Sequence, residues 1–200
     1  MRRLNIPHVP YTLTGDGGKP YSLCENFVTT ETELIPALHV MHSAKRLDND
    51  SRFTRLLRCC DGLGIPNAAS AIDKMLVLDY IISNEDRHLN NFGFLRNAGT
   101  LEWLGAAPIF DSGTSLWYNT LTEHIGQYSI VSKPFEITHP EQIKLVGGLD
   151  WFNFDALNGL TSECEKILAG SNLINMDRRG VLANVVWERA QQVEQRVMTR

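Results

Sequence analysis

The stretch Asn67-Ala68-Ala69-Ser70-Ala71-Ile72-Asp73-Lys74-Met75-Leu76-Val77-Leu78-Asp79-Tyr80-Ile81-Ile82 constrains this chain more than any other. It is apolar over most of a helical circumference, so as a helix it has little surface to give to water. Such a helix must be buried on several sides, and the remaining elements have to pack around it as a spine. Directly after it come six polar residues, Ser83-Asn84-Glu85-Asp86-Arg87-His88, and shortly after those the apolar Phe92-Gly93-Phe94-Leu95, which reads as a strand. A polar loop pinned between two buried elements is the place where a rigid scaffold holds reactive groups.

The flanking sequence supplies the elements that surround this spine. Val9–Thr14 and Tyr21–Val28 read as strands, with Gly15-Asp16-Gly17-Gly18-Lys19-Pro20 between them. Glycine and aspartate accept the positive φ of a hairpin turn. A glycine-rich run beside Lys19 also suggests a phosphate loop, but it matches neither GxxxxGK[ST] nor GxGxxG and opens no helix, so the turn is the better reading. From Leu34 to Leu47 the period is helical, with Pro36 in the first turn and Leu34, Leu38, Met41 and Lys45 on one face. A second helix, Arg52–Cys60, is stopped by Asp61-Gly62-Leu63-Gly64-Ile65-Pro66. Phe92–Leu95 and Leu101–Leu104 form a hairpin around Asn97-Ala98-Gly99-Thr100. In the last third, Phe154–Leu160 and Ser162–Ala169 are short helices. Arg178–Met198 is a long helix with Leu182, Val185, Val186, Arg189, Val193 and Val197 in one stripe, which reads as core packing.

Composition narrows the classes of function. The 200 residues carry 19 Lys+Arg against 23 Asp+Glu, a formal charge of −4, and the sequence pI is about 5.9. That balance argues against direct nucleic-acid binding, which needs a basic face to displace counterions from phosphates. No run of about 18 apolar residues is present, and the start lacks the apolar stretch of a secretory signal, so no membrane span and a cytoplasmic location are expected. The cysteines, Cys24, Cys59, Cys60 and Cys164, show no CxxC spacing, which speaks against zinc and for reduced thiols.

The polar loop carries Asp86 and, five residues on, Asn91; beyond the hairpin, Asp111-Ser112-Gly113 follows the apolar Pro108-Ile109-Phe110. Transfer of a γ-phosphoryl group needs a carboxylate near the acceptor hydroxyl and oxygen ligands for one or two Mg²⁺. Asp86 meets the first need, and Asn91 and Asp111 the second. The Asp-x-x-x-x-Asn spacing matches a kinase catalytic loop, and Asp111 takes the place of the metal-binding Asp of Asp-Phe-Gly. The plainer alternative makes Asp86 a turn residue and Asn91 and Asp111 an Asx-turn pair.

Asn84-Glu85-Asp86-Arg87-His88-Leu89-Asn90-Asn91 resembles the Asn-x-Asp-x-His-x-x-Asn loop of the HipA-like kinases. Pro108-Ile109-Phe110-Asp111-Ser112-Gly113-Thr114-Ser115 resembles their apolar-Asp-x-x-Ser element. The Asp-Arg-His order is also similar to the phosphoinositide-kinase form. The resemblance runs over roughly residues 5–195 and implies an α+β, mostly helical fold. This would be a protein-kinase-like large lobe (31–200) with a short N-terminal β-hairpin remnant of the small lobe and the inter-lobe linker (1–30). It implies ATP and Mg²⁺ as cofactors and a hydroxyl acceptor, Ser or Thr of a protein. Asp86 is then the catalytic carboxylate, with Asn91 and Asp111 as metal ligands. His88 shapes the loop or touches substrate, and Arg87 compensates phosphate or carboxylate charge. Glu25, Asn26 and Phe27 become candidates to meet the adenine. Lys133, in Lys133-Pro134-Phe135, either faces the substrate or phosphates or is an ordinary loop lysine.

A phosphate-covering loop and a Val-Ala-x-Lys strand are not recognisable, so activity of the chain alone is doubtful. The implied partners are a polypeptide supplying the rest of the small lobe, or a regulator of the antitoxin type from a toxin–antitoxin system. The competing reading is a non-catalytic, kinase-like interaction module. If a lobe is missing, Ile6, Val9 and Tyr11 are expected to lie exposed.

Overall fold

Two antiparallel strands, β1 (Tyr11–Asp16) and β2 (Lys19–Cys24), begin the regular structure of the computed structural model, which describes residues 1–16, 19–127 and 131–199. Their ladder pairs Tyr11 with Cys24 and Asp16 with Lys19, so the strands of the expected hairpin are present. The turn expected at Gly17-Gly18 lies outside the described residues. β2 ends at Cys24, short of the expected Val28, because Asn26 folds its side chain back and its Oδ1 accepts the Val28 N–H at 3.0 Å. That local bond offers the backbone an alternative to the ladder.

The chain divides into two compact units, one formed by Met1–Ala68 and His88–Asp111, the other by Ala69–Arg87 and Ser112–Arg200. The boundary expected between residues 30 and 31 therefore lies inside the first unit.

In that first unit a three-stranded antiparallel sheet runs β3 (Thr32–Pro36), β4 (Gly93–Asn97), β5 (Trp103–Ala106), with β4 central. The helix expected over Leu34–Leu47 is thus corrected: residues 32–36 are a strand, and the helix α1 covers only Ala37–Met41. The strand forms because β4 has a backbone edge to fill and β3 pairs with it residue for residue, Leu34 with Leu95 and Ile35 with Phe94. Glycine at 93 makes the approach possible, since a Cβ there would stand 2.4 Å from the Ile35 carbonyl oxygen. Pro36 is extended (φ −56°, ψ 146°) and precedes α1 as its N-cap. Beyond Met41 the carbonyls of Ala44 and Lys45 bond to Arg55 (2.8 Å) and Arg58 (3.0 Å), so those groups are satisfied without a helix. Arg55 and Arg58 belong to α2 (Arg52–Gly62), which Ser51 caps by accepting the Thr54 N–H at 3.1 Å.

Ile6 and Val9, expected to be exposed, are buried at 3% and 4%. The backbone explains it: the Val9 N–H donates to Ile109 O and the Ile109 N–H to Pro7 O, each at 2.9 Å, which lays the segment along residue 109. Tyr11 does remain half exposed, as do Leu13, Tyr21 and Leu23.

The second unit is built on α3 (Ala68–Ile82), whose Ile72, Met75, Leu76, Val77, Leu78 and Ile81 are all buried. Two buried aspartates interrupt it, and each is neutralised differently. Asp73 accepts the N–H groups of Gly147 (3.0 Å) and Gly148 (2.9 Å), fixing that loop against the helix, and Lys74 lies over the Trp151 ring. Asp79 belongs to the candidate site. Short α4 (His139–Gln142), α5 (Leu160–Leu168) and long α6 (Met176–Met198) complete the unit. The α6 stripe is core as expected at Leu182, Val186 and Val193, with Ala183 and Ala190 added, whereas Val197 is exposed near the helix end. Leu182 packs with Trp117 and Ile125, and Arg189 stacks between the rings of Tyr80 (4.9 Å) and Trp117 (5.0 Å) while donating to Tyr80 O at 2.6 Å.

Candidate functional site

The polar loop leaves α3 at Ser83, which takes a left-handed φ of 54°, and the Asn84 N–H reaches back to Asp79 O at 2.9 Å. This turn points Asn84 and Arg87 into the protein. Arg87 is fully buried and grips the equally buried Asp79 with two nitrogens, Nε to Oδ2 at 2.9 Å and Nη2 to Oδ1 at 3.0 Å. Asn84 Nδ2 also donates to Asp79 Oδ1 (2.9 Å), and Arg87 Nη2 donates to Ser112 Oγ (2.9 Å). A planar guanidinium suits a carboxylate fork, and extra hydrogen bonds are what make a buried pair tolerable. The expectation that Arg87 compensates charge is thereby resolved to a neighbouring carboxylate, Asp79.

The same network ties the loop to the segment after Asp111. The Glu85 N–H donates to Thr114 O (3.0 Å), Thr114 Oγ1 to Asn84 Oδ1 (3.1 Å), and the Leu116 N–H to Ile82 O (2.8 Å). Residues 82–87 and 112–116 are therefore one hydrogen-bonded layer of the second unit, with Arg87–Ser112 at its end.

Asp86 is half exposed. Its backbone N–H donates to Asn84 Oδ1 (3.3 Å) and its Oδ1 accepts a 2.6 Å hydrogen bond from Lys133 Nζ. Beside it, burial raises the Glu85 carboxyl above the ordinary glutamate range. His139, buried on α4, contacts the Tyr80 ring edge-on and bonds to the Asn84 backbone. Burial, helped by the Arg189 charge, pushes its imidazole down to about 3. It is a neutral packing residue behind the loop.

At Arg87–His88 the chain passes from the second unit to the first, and at Asp111–Ser112 it returns. His88 Nδ1 accepts the Asn90 N–H (3.3 Å) and His88 O the Asn91 N–H (2.8 Å). Asn91 is buried at 8%. Gly93, two residues on, begins β4 and accepts from the Ala107 N–H (3.0 Å) just past β5. The antiparallel hairpin therefore returns the chain to the end of the sheet from which β4 started, and Asn91 and Asp111 both belong to that end.

Asp111 is exposed, takes a left-handed φ of 49°, and donates its backbone N–H to Tyr11 Oη (3.2 Å). Strain of this kind persists only where surrounding contacts enforce it. The ring of Phe110, its neighbour, lies 5.4 Å from that of Phe27. Phe27 is thus carried beside the Phe110–Asp111 step, whereas Glu25 is an exposed residue of the irregular segment after β2. Asn91 and Asp111 offer hard oxygen donors, one amide and one carboxylate, a set suited to Mg²⁺ sharing its shell with phosphates and water. Among the described residues no group of three or more His, Cys, Asp and Glu is arranged to hold a metal, and no helix is long and apolar enough to cross a membrane.

Two residues of this network, Asp79 and Tyr11, were not singled out from the sequence, and Lys133 was considered there without its partner Asp86. Asp79 was hidden in an apolar helix, though a carboxylate there requires a partner, and Arg87 lies eight positions on. Tyr11 and Lys133 carry no local signal, since each reaches its partner only through the fold.

No protein-family profile matches the chain. A stretch of 100 residues is 32% identical to the Serine/threonine-protein kinase CtkA of Helicobacter pylori; it spans 47% of this chain and 30% of that protein. The crystal structure of the H. pylori proinflammatory kinase CtkA superposes with a TM-score of 0.69, covering 99% of this chain and 83% of that one at 16% identity. The chain has a kinase-like fold.

Proposed function

We propose that this chain is the catalytic portion of an ATP- and Mg²⁺-dependent phosphotransferase of the HipA-like type, acting on a Ser or Thr hydroxyl of a protein. The observation that carries the reading is the coincidence of a carboxylate, Asp86, and two oxygen donors, Asn91 and Asp111, in kinase order along a chain with a kinase-like fold. Asp86 orients the acceptor hydroxyl and takes its proton as the hydroxyl oxygen bonds to the γ-phosphorus and the bond from that phosphorus to the β,γ-bridging oxygen breaks, releasing ADP. Asn91 and Asp111 would hold Mg²⁺, which when bound neutralises charge on the nucleotide phosphates. Phe27, packed against Phe110, offers an apolar ring to the adenine, with Glu25 nearby in sequence. Arg87 and Asn84 keep the loop rigid from below.

The same reading allows a protein partner, either completing the nucleotide-binding lobe or regulating it as an antitoxin does. Calorimetric titration with MgATP should give saturable binding that Asp111→Ala abolishes. Transfer from γ-labelled ATP should be measured with and without the product of the neighbouring gene. Unchanged nucleotide affinity in Asp111→Ala overturns the reading.

A further inference from the structure

We propose that Lys133 is a positioning residue for Asp86, held in place by Gln142; this rests on the phosphotransfer reading of Asp86. The two side chains are 47 positions apart, and Lys133 Nζ meets Asp86 Oδ1 at 2.6 Å. Exposed pairs of this sort, here 48% and 37% exposed, ordinarily form and break at little gain because two long side chains must be ordered. This one differs in how each partner is carried.

Gln142 is 2% exposed and spends both ends of its amide on the segment bearing Lys133. Its Nε2 donates to Ser132 Oγ (2.8 Å) and to Lys133 O, and its Oε1 accepts the N–H groups of Phe135 and Glu136 at 3.0 Å each. The segment is closed further by the Ser132 N–H donating to Ile137 O (3.0 Å). On the other side the Asp86 backbone rests on Asn84, a fully buried amide fixed to Asp79. Two buried amides thus hold the two backbones that carry one exposed ion pair, and surface solubility needs neither.

The consequence is chemical. A carboxylate that must accept a hydroxyl proton works only if its oxygen faces the acceptor at hydrogen-bond distance. The ammonium on Oδ1 limits rotation of the carboxylate, so the group awaits the acceptor already oriented. Misplacement by about 1 Å is enough to cost on the order of 100-fold in rate.

The experiment compares the wild type, Lys133→Met, Lys133→Arg and Asp86→Asn in steady-state ATP turnover, with melting temperature and MgATP affinity measured alongside. Lys133→Met should lower kcat by about 10- to 100-fold, leave KM for ATP and the melting temperature near the wild type, and be partly rescued by Lys133→Arg. An amine-acylation footprint read by mass spectrometry should show Lys133 reacting faster in Asp86→Asn than in the wild type. Wild-type kcat in Lys133→Met, or equal acylation in both proteins, overturns the role of Lys133 while leaving the phosphotransfer reading intact. Absence of turnover by the wild type, with its partner included, overturns that reading and the role of Lys133 with it.

Discussion

Asp86 and Arg87 are adjacent, and each is half of an ion pair. Arg87 is fully buried with Asp79, bidentate, and shares its partner with the Asn84 amide. Asp86 is paired with Lys133 at the surface, Nζ to Oδ1 at 2.6 Å. Desolvation makes the first pair expensive to form and more expensive to break, because removing either member leaves a charge stranded in the core. The second is screened by water and contributes little to stability, yet it sits on the group that chemistry would use. Adjacent residues thus face opposite ways, the Arg87 side chain inward to Asp79 and the Asp86 side chain outward to Lys133.

That contrast can be broken most severely from the inside. Arg87→Met should destabilise the protein by about 3–5 kcal/mol, read as a lowered urea midpoint, through the stranded Asp79 carboxylate. A loss below about 1 kcal/mol would mean that the buried pair is not holding the loop. Asp86→Asn should do the reverse, changing stability by no more than about 1 kcal/mol while cutting phosphotransfer by about 10²- to 10⁴-fold. Comparable loss of stability in both variants would erase the distinction.

A third test concerns His139, the neutral group packed behind the loop. Its folded pKa of about 3 lies below the value of about 6.5 in an unfolded chain, so the unfolded state binds a proton that the folded state refuses. This contribution to stability is present above about pH 6.5 and is lost as the pH falls toward 3, with a limiting slope of about 1.4 kcal/mol per pH unit. Urea midpoints of His139→Gln should fall less steeply than the wild type's between about pH 6 and pH 4, and parallel curves would refute the assignment. The smallest effect is at the thiols. Burial pushes Cys60 up to about 12, whereas Cys24 is exposed on β2, so alkylation near pH 8 should modify Cys24 first, and early labelling of Cys60 would contradict its burial.

Patterns repeating at helical period were legible wherever one face met the core. Residues 68–82 and the body of α6 needed only their apolar spacing, and the β4–β5 hairpin followed from the turn at Asn97, whose Oδ1 accepts the Gly99 and Thr100 N–H groups at 2.9 Å. The failure at Leu34–Leu47 has an equally physical origin. Leu34 and Leu38 fit a helical stripe, but what decided the backbone was a partner strand nearly sixty residues away, which local spacing does not encode. Ile6 and Val9 were misjudged for the same reason, since the backbone at Pro7 and Val9 is bonded to Ile109, a hundred residues on.

The sequence by itself determined the spine helix, the polar loop behind it and the order of Asp86, Asn91 and Asp111 along the chain, because these depend on residue type and short spacing. Tertiary structure alone decided which charge turns inward. Arg87 and Lys133 are both cations within reach of a carboxylate, but only the turn at Ser83 sends Arg87 to Asp79, and only the Gln142-held segment brings Lys133 to Asp86. Burial and direction are set by elements distant in the chain, so the difference between a buried ion pair and an exposed one becomes visible only in three dimensions.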